Sequence, residues 1–278
     1  MVDRVVLPGG EAVPALGIGT WMMGERSGAR AQETESVRLG VELGMTLVDT
    51  AEMYGDGACE SFLGDALAGL RDKVFLVSKV YPHNASRLGV MAACERSLKR
   101  LKTDSLDLYL LHWRGSVPLE DTIAGFETLK DMGKIRHWGV SNFDTDDMEE
   151  LWDTPGGDAC AVNQVLYNLT RRGPEWDLLP RLEAHGVPLM AYSPIEQGRI
   201  HVEGALTAIA AKHGVKPFQV ALAWVLRNPG NIVIPKASRP EHMRDNAGSR
   251  DIVLDADDFA ALDKAFAPPS RKRSLEML

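Results

Sequence analysis

The chain of 278 residues carries 31 lysines and arginines against 39 aspartates and glutamates, for a formal net charge of -8, and its pI is about 5.4. An acidic chain argues against nucleic acid or an anionic membrane as partner, because both reward a basic surface. Hydrophobic content of 45% and charged content of 25% are those of a globular protein with a large core, and an α/β barrel accommodates residues 1–278 as one domain.

Residues 1–14 alternate weakly around Pro8-Gly9-Gly10, which predicts a small β-hairpin ahead of the main fold. Met1-Val2-Asp3-Arg4 runs straight into that turn without the apolar stretch of a secretory leader. No run reaches the roughly 18 to 20 apolar residues of a membrane span. Cys59, Cys94 and Cys160 are isolated in sequence and read as three packed thiols in a reducing, cytoplasmic protein.

From Leu16 onward, short apolar runs alternate with helical patterns, the signature of repeated βα units. Strands are expected at 16–21, 47–51, 74–79, 106–112, 136–141, 161–166, 188–193 and 231–235. Among the intervening helices, Arg87 to Leu101 places Leu88, Met91, Ala92, Leu98 and Leu101 at helical spacing, with Glu95, Arg96, Lys99 and Arg100 opposite. Asp255 is expected to cap an extra helix ending near Phe266. The segment 268–278 reads as a solvated or loosely draped C-terminal loop.

Eight such units can close into a (β/α)8 TIM barrel or open into a doubly wound sheet. An open dinucleotide-binding sheet calls for Gly-x-Gly-x-x-Gly after its first strand, whereas Gly17-Ile18-Gly19 runs on into Thr20, Trp21 and Met22. The closed barrel is therefore preferred, with its site at the C-terminal ends of the strands.

Those ends carry Asp49, Lys79, His112, Ser141-Asn142, Gln164 and Tyr192. A buried Asp49 needs a cation, and Lys79 can supply one. Tyr54, one short loop beyond Asp49, has a phenol whose ordinary pKa near 10 is too high for easy exchange at neutral pH. An adjacent ammonium would stabilise its phenolate. His112 would orient a carbonyl oxygen or relay a proton, and the residues leave both roles open.

The chain resembles the aldo-keto reductases. The resemblance is carried in order by Leu16-Gly17-Ile18-Gly19-Thr20-Trp21, Asp49-Thr50-Ala51-Glu52-Met53-Tyr54-Gly55, Val77-Ser78-Lys79, Leu110-Leu111-His112-Trp113, Gly139-Val140-Ser141-Asn142-Phe143, Asn163-Gln164, Ala191-Tyr192-Ser193-Pro194 and Ile234-Pro235-Lys236. It looks most like the short bacterial reductases of methylglyoxal and other small aldehydes.

The resemblance implies NADPH as cofactor, with NADH as the alternative, and a small carbonyl compound as substrate. It implies Tyr54 as general acid, with Asp49, Lys79 and His112 completing a tetrad. Ser141, Asn142 and Gln164 would hold the nicotinamide carboxamide, with Tyr192 stacked on the ring and Ser193 beside it. Lys236, Ser238, Arg239, His242, Asp245 and Asn246 would form the adenosine end, where His242 stands in place of the family's usual arginine.

The stretch after Tyr192 is short, which predicts an open cofactor cleft. Trp21, Met53 and Trp113 would line a shallow substrate pocket, while Trp138 and Trp224 fall in core patterns. No His-x-His or His-Glu-x-x-His spacing suggests a metal. A monomer or weak oligomer is expected. An NADPH-binding regulatory or redox-sensing barrel with little turnover is the alternative reading.

Overall fold

A computed structural model describes residues 3–202 and 204–278. Its strands are β1 (Arg4–Val6), β2 (Ala12–Pro14), β3 (Ile18–Gly19), β4 (Leu47–Asp49), β5 (Phe75–Val80), β6 (Leu106–Leu111), β7 (Ile135–Ser141), β8 (Asn163–Leu166), β9 (Leu189–Tyr192) and β10 (Asn231–Val233). Its helices are α1 (Arg30–Glu42), α2 (Ala58–Ala66), α3 (Arg87–Leu101), α4 (Leu119–Asp131), α5 (Thr145–Asp153), α6 (Leu178–Ala184), α7 (Ala205–His213), α8 (Pro217–Val225), α9 (Pro240–Gly248) and α10 (Ala256–Ala265).

β3 to β10 form a parallel sheet in sequence order. The sheet closes on itself through a parallel bridge from Leu16 to Val233. Gly17 N donates to Val233 O at 2.8 Å and Gly19 N to Pro235 O at 3.1 Å across that seam. The two glycines are needed there. A Cβ on Gly19 would lie 2.6 Å from Ile234 O, and one on Gly17 would lie 2.7 Å from Leu47 O. The Gly-Ile-Gly run thus serves strand closure by letting backbones approach.

Strands lie where the apolar runs place them, but several are shorter at the mouth, because the chain turns outward there. Met22 and Ser193 adopt positive φ of 65° and 46° just beyond β3 and β9. The hairpin β1–β2 pairs with Val5 opposite Val13, both buried. From the loop between its strands, Glu11 accepts from His137 Nε2 at 2.7 Å and from Arg136, which places the hairpin at the end of the barrel where β7 begins.

α3 matches its expected span, with Ser86 Oγ capping Gly89 N at 3.2 Å. Its buried stripe is rotated from the expected one. Val90, Ala93, Cys94, Ser97, Leu98 and Leu101 face inward, while Leu88 is 76% exposed. Glycines on the neighbouring helices let α3 lie close: a Cβ on Gly125 of α4 would meet Val90 Cβ at 3.0 Å, and one on Gly64 of α2 would meet Arg100 O at 2.5 Å. Asp255 caps α10 in a reciprocal capping box with Asp258. Trp138 and Trp224 are core residues, and all three cysteines are buried free thiols.

Candidate active site

The C-terminal strand ends open on a cleft of about 760 Å³. Asp49 closes β4, Lys79 is the penultimate residue of β5, His112 follows β6, Ser141 ends β7, Gln164 lies in β8 and Tyr192 ends β9. Tyr54 reaches the same place from a tight turn through Gly57, in which Gly55, Asp56 and Gly57 all have positive φ. Gly57, at φ of 89°, holds a left-handed backbone that favours glycine. Glu52, in the same stretch, accepts from Tyr81 N at 2.9 Å and Asn84 Nδ2 at 3.0 Å, tying the Tyr54 loop to the segment after β5.

Lys79 is fully buried and makes a complete set of three donations: to Asp49 Oδ2 at 2.7 Å, Thr50 O at 2.9 Å and Tyr54 Oη at 3.0 Å. Asp49 Oδ1 accepts from Gln164 Nε2 at 2.7 Å. Burial pushes the Asp49 carboxyl up and the Lys79 ammonium down, and their mutual attraction opposes both shifts. Three acceptors around Nζ and two donors to the carboxylate satisfy the ionised forms, so the pair is charged.

Burial, followed by the charge on Asp49, raises the Tyr54 phenol well above its ordinary value. This reverses the expected direction: Asp49 already balances the ammonium, so Lys79 does not lower the phenol in the resting site. Burial, reinforced by Lys79, lowers His112 to about 2, and the imidazole is neutral. Among the described residues its buried Nδ1 has no partner. A proton there would strand a buried N–H, which places the proton on Nε2.

Around these groups, Ser141 Oγ donates to Gln164 O at 2.8 Å, and Asn142 Nδ2 donates to His112 O and Ser141 Oγ, each at 3.1 Å. Tyr192 Oη donates to Asn142 Oδ1 at 3.0 Å. Asn142 holds φ of 57°, a strained backbone that the network around its side chain stabilises. Ser193 faces the cleft, and its carbonyl accepts from Asn168 Nδ2 at 2.9 Å. Trp21, Met53 and Trp113 line the apolar side of the opening.

At the far end, Lys236, His242, Asp245 and Asn246 also face the cleft. Nearby, Ser238 Oγ donates to Glu33 Oε1 at 3.3 Å, and Arg239 lies beside Glu241 at 3.8 Å. Asn246 Nδ2 is buried with no partner among the described residues, an unused donor on a residue that faces the cleft.

The comparisons with known proteins agree with this geometry. The Aldo/keto reductase family model matches residues 15–267. The chain belongs to the aldo/keto reductase family. It is 50% identical over 275 residues to methylglyoxal reductase YeaE of Escherichia coli K12, covering 97% of each chain. It is 35% identical to a glyoxal reductase of Bacillus subtilis, with 94% of this chain and 92% of that protein covered. An aldo/keto reductase of Klebsiella pneumoniae, solved in complex with NADP and acetate, is 49% identical and superposes with a TM-score of 0.97 over 100% of both chains.

Several contributors to this cleft carry no motif. Met277 and Leu278 line it, at the end of a tail that is solvent-exposed as expected but tied down. Lys272 pairs with Asp146 and Asp177, each at 3.2 Å, and Glu276 pairs with Arg171. Arg171 also grips Glu196 at 2.9 Å in the segment after β9, whose Ile195, Gln197 and Gly198 face the cleft. One guanidinium therefore joins the tail to the segment beside Ser193. Lys216 and Phe218, around the start of α8, complete the far wall.

Among the described residues, no helix is long and apolar enough to cross a membrane, and no three His, Cys, Asp or Glu side chains cluster as metal ligands.

Proposed function

We infer that this protein is an NADPH-dependent reductase that converts small aldehydes and 2-oxoaldehydes such as methylglyoxal to alcohols, with Tyr54 as proton donor. The observation that carries this reading is the direction of one hydrogen bond. Lys79 Nζ donates to Tyr54 Oη, so the phenol's own proton is directed away from the ammonium and is free to meet a carbonyl oxygen in the cleft. The raised phenol pKa keeps that proton in place before reaction. As charge develops on the substrate oxygen, Tyr54 releases its proton and the resulting phenolate rests against Lys79.

Asp49 keeps Lys79 charged and aimed. Neutral His112, carrying its proton on Nε2, donates to the same carbonyl oxygen and fixes its orientation. Trp21, Met53 and Trp113 shield the reacting end from water and suit a small, weakly polar substrate. The relatives named as methylglyoxal and glyoxal reductases support that substrate class.

The residues fit the cofactor. Among the described residues Gln164 Oε1 has no hydrogen-bond donor, and Ser141 and Asn142 beside it offer mixed donors and acceptors for a carboxamide. The half-buried Tyr192 ring offers a face to the nicotinamide, and the unpartnered Asn246 Nδ2 offers a donor to the adenine end. When bound, NADPH supplies the hydride.

Arg171 and Asn168 fix the Ser193–Gly198 segment at Glu196 and at Ser193 O. We therefore infer a preformed, open cleft. All of these groups come from one chain, which favours a monomer as the working unit, and the buried free thiols suit the cytoplasm.

The test is an initial-rate comparison of NADPH and NADH oxidation with methylglyoxal, glyoxal and longer aldehydes. Aldehyde-dependent oxidation that is faster with NADPH is expected. Tight NADPH binding with no aldehyde-dependent oxidation would instead indicate a regulatory barrel.

A further inference from the structure

Pairing between β4 and β5 does not stop where β4 ends. Beyond Asp49 the chain keeps two main-chain rungs to β5, from Thr50 N to Val77 O at 2.9 Å and from Glu52 N to Lys79 O at 3.3 Å. A side chain makes the next rung. Glu52 Oε1 accepts from Tyr81 N at 2.9 Å and from Asn84 Nδ2 at 3.0 Å, while its Oε2 lies 3.4 Å from Arg96. Glu52 is buried and the Arg96 side chain is half exposed, so the two neutral donors are the firm arms of this clasp.

The clasp ties the chain to β5 two residues before Tyr54. Tyr54 N bonds back to Ala51 O at 3.1 Å, and after it Gly55, Asp56 and Gly57 turn the chain at positive φ. That bond is local and does not fix the turn against the neighbouring strand. Lys79 Nζ, by contrast, is anchored at the end of β4 by Asp49 Oδ2 and Thr50 O. The 3.0 Å contact from Nζ to Tyr54 Oη therefore depends on where residues 52–54 lie against β5. The main-chain rung at Glu52 is longer than an ordinary hydrogen bond, which leaves much of that placement to the carboxylate.

We propose that Glu52 is a positioning residue for the proton donor: by clasping Tyr81 N and Asn84, it sets the Tyr54 hydroxyl where it meets both Lys79 and a substrate in the cleft. This inference rests on the reading of Tyr54 as proton donor. The clasp requires of residue 52 an acceptor oxygen and enough reach, since a main-chain N–H and an amide are neutral donors. Glutamine meets both requirements, whereas aspartate keeps the charge but is one methylene short. A misplacement of about 1 Å costs up to about a hundredfold in rate, so a partial slip is worth about tenfold.

The experiment compares Glu52→Asp, Glu52→Gln, Tyr54→Phe and Tyr54→Phe/Glu52→Asp in methylglyoxal-dependent NADPH oxidation at saturating substrate. Rates are divided by the concentration of NADPH-binding sites, read by fluorescence titration. Glu52→Asp is expected to lower kcat per site about tenfold with NADPH affinity within about twofold, and Glu52→Gln to stay within about threefold of the unmodified protein. Adding Glu52→Asp to Tyr54→Phe is expected to change the residual rate less than about twofold, because the hydroxyl that Glu52 places is already gone. A residue that merely stabilises the fold would lower the number of binding sites and leave the rate per site unchanged. That result, losses that multiply in the double variant, or glutamine as impaired as aspartate would each overturn the assignment. Tyr54→Phe with most of its turnover would instead overturn the proton-donor reading, whatever Glu52→Asp does.

Discussion

Replacing Lys79 with methionine keeps the length of the side chain and removes its charge, leaving Asp49, itself 2% exposed, with Gln164 Nε2 as its remaining side-chain donor. Breaking a buried ion pair from one side costs about 3–5 kcal/mol, mostly the penalty of the stranded charge. At about 2–4 °C per kcal/mol for a domain approaching this size, Lys79→Met should melt about 6–20 °C below the unmodified protein at pH 7.5. The sign of the pH dependence follows from Asp49. Its folded-state pKa, already raised by burial, rises further once the ammonium is gone, so the stranded carboxylate takes up a proton as pH falls and the deficit narrows by pH 5.5. Asp49→Asn/Lys79→Met removes both charges and should recover more than half of the lost stability while remaining inactive. Melting curves at the two pH values read all three proteins. A Lys79→Met protein as stable as its parent, or a double variant less stable than the single one, would refute the buried charged pair.

Three further outcomes follow from the same geometry. His112 is held neutral with its pKa lowered to about 2, so below the ordinary histidine pKa of about 6.5 the unfolded chain gains a proton that the folded one refuses. Stability then falls by up to about 1.4 kcal/mol per pH unit from this group alone; urea midpoints at pH 7 and pH 5 should show that His112→Gln loses this component, and parallel slopes for the two proteins would contradict it. Deleting Met277 and Leu278 removes two residues from the cleft wall. KM for small aldehydes should rise a few-fold while NADPH affinity stays within about twofold, and an unchanged ranking of small against bulky aldehydes would count against a tail-lined pocket. Because Arg171 and Asn168 already fix the segment after β9, stopped-flow mixing with NADPH should show a single concentration-dependent phase, and a slow second phase that saturates with NADPH would contradict the preformed cleft.

Much of this architecture was legible in the residues because period and punctuation agree. Each strand is an apolar run ended by a polar side chain, and the barrel turns those endings into one ring. Position alone therefore places Asp49, Lys79, His112, Gln164 and Tyr192 at one mouth, where the structure brings them together. Position does not give the direction of the Tyr54 shift, since it depends on burial and on Asp49 already neutralising Lys79, neither of which can be counted along a chain. The α3 face was misplaced because Leu88 and Met91 outrank Ala93 and Ser97 in hydrophobicity, while close helix packing selects the smaller pair. Lys216, Arg171 and the terminal Met277-Leu278 escaped because their roles arise from contacts across long sequence separations: Lys216 to Asp245 and Arg171 to Glu276. No local pattern announces such contacts. Glu196, at φ of 49° and almost fully buried, is equally silent in sequence.

The central claim is that the Tyr54 hydroxyl delivers the proton. Tyr54→Phe removes one oxygen from a site whose other members stay in contact: Lys79 keeps Asp49 and Thr50, and Asp49 keeps Gln164. Steady-state rates of methylglyoxal-dependent NADPH oxidation, measured together with NADPH binding by fluorescence titration, separate chemistry from cofactor capture. The expected result is a fall in kcat of about 10²–10⁴-fold, with NADPH affinity held within about twofold. A Tyr54→Phe protein that keeps most of its turnover would show that the proton comes from elsewhere.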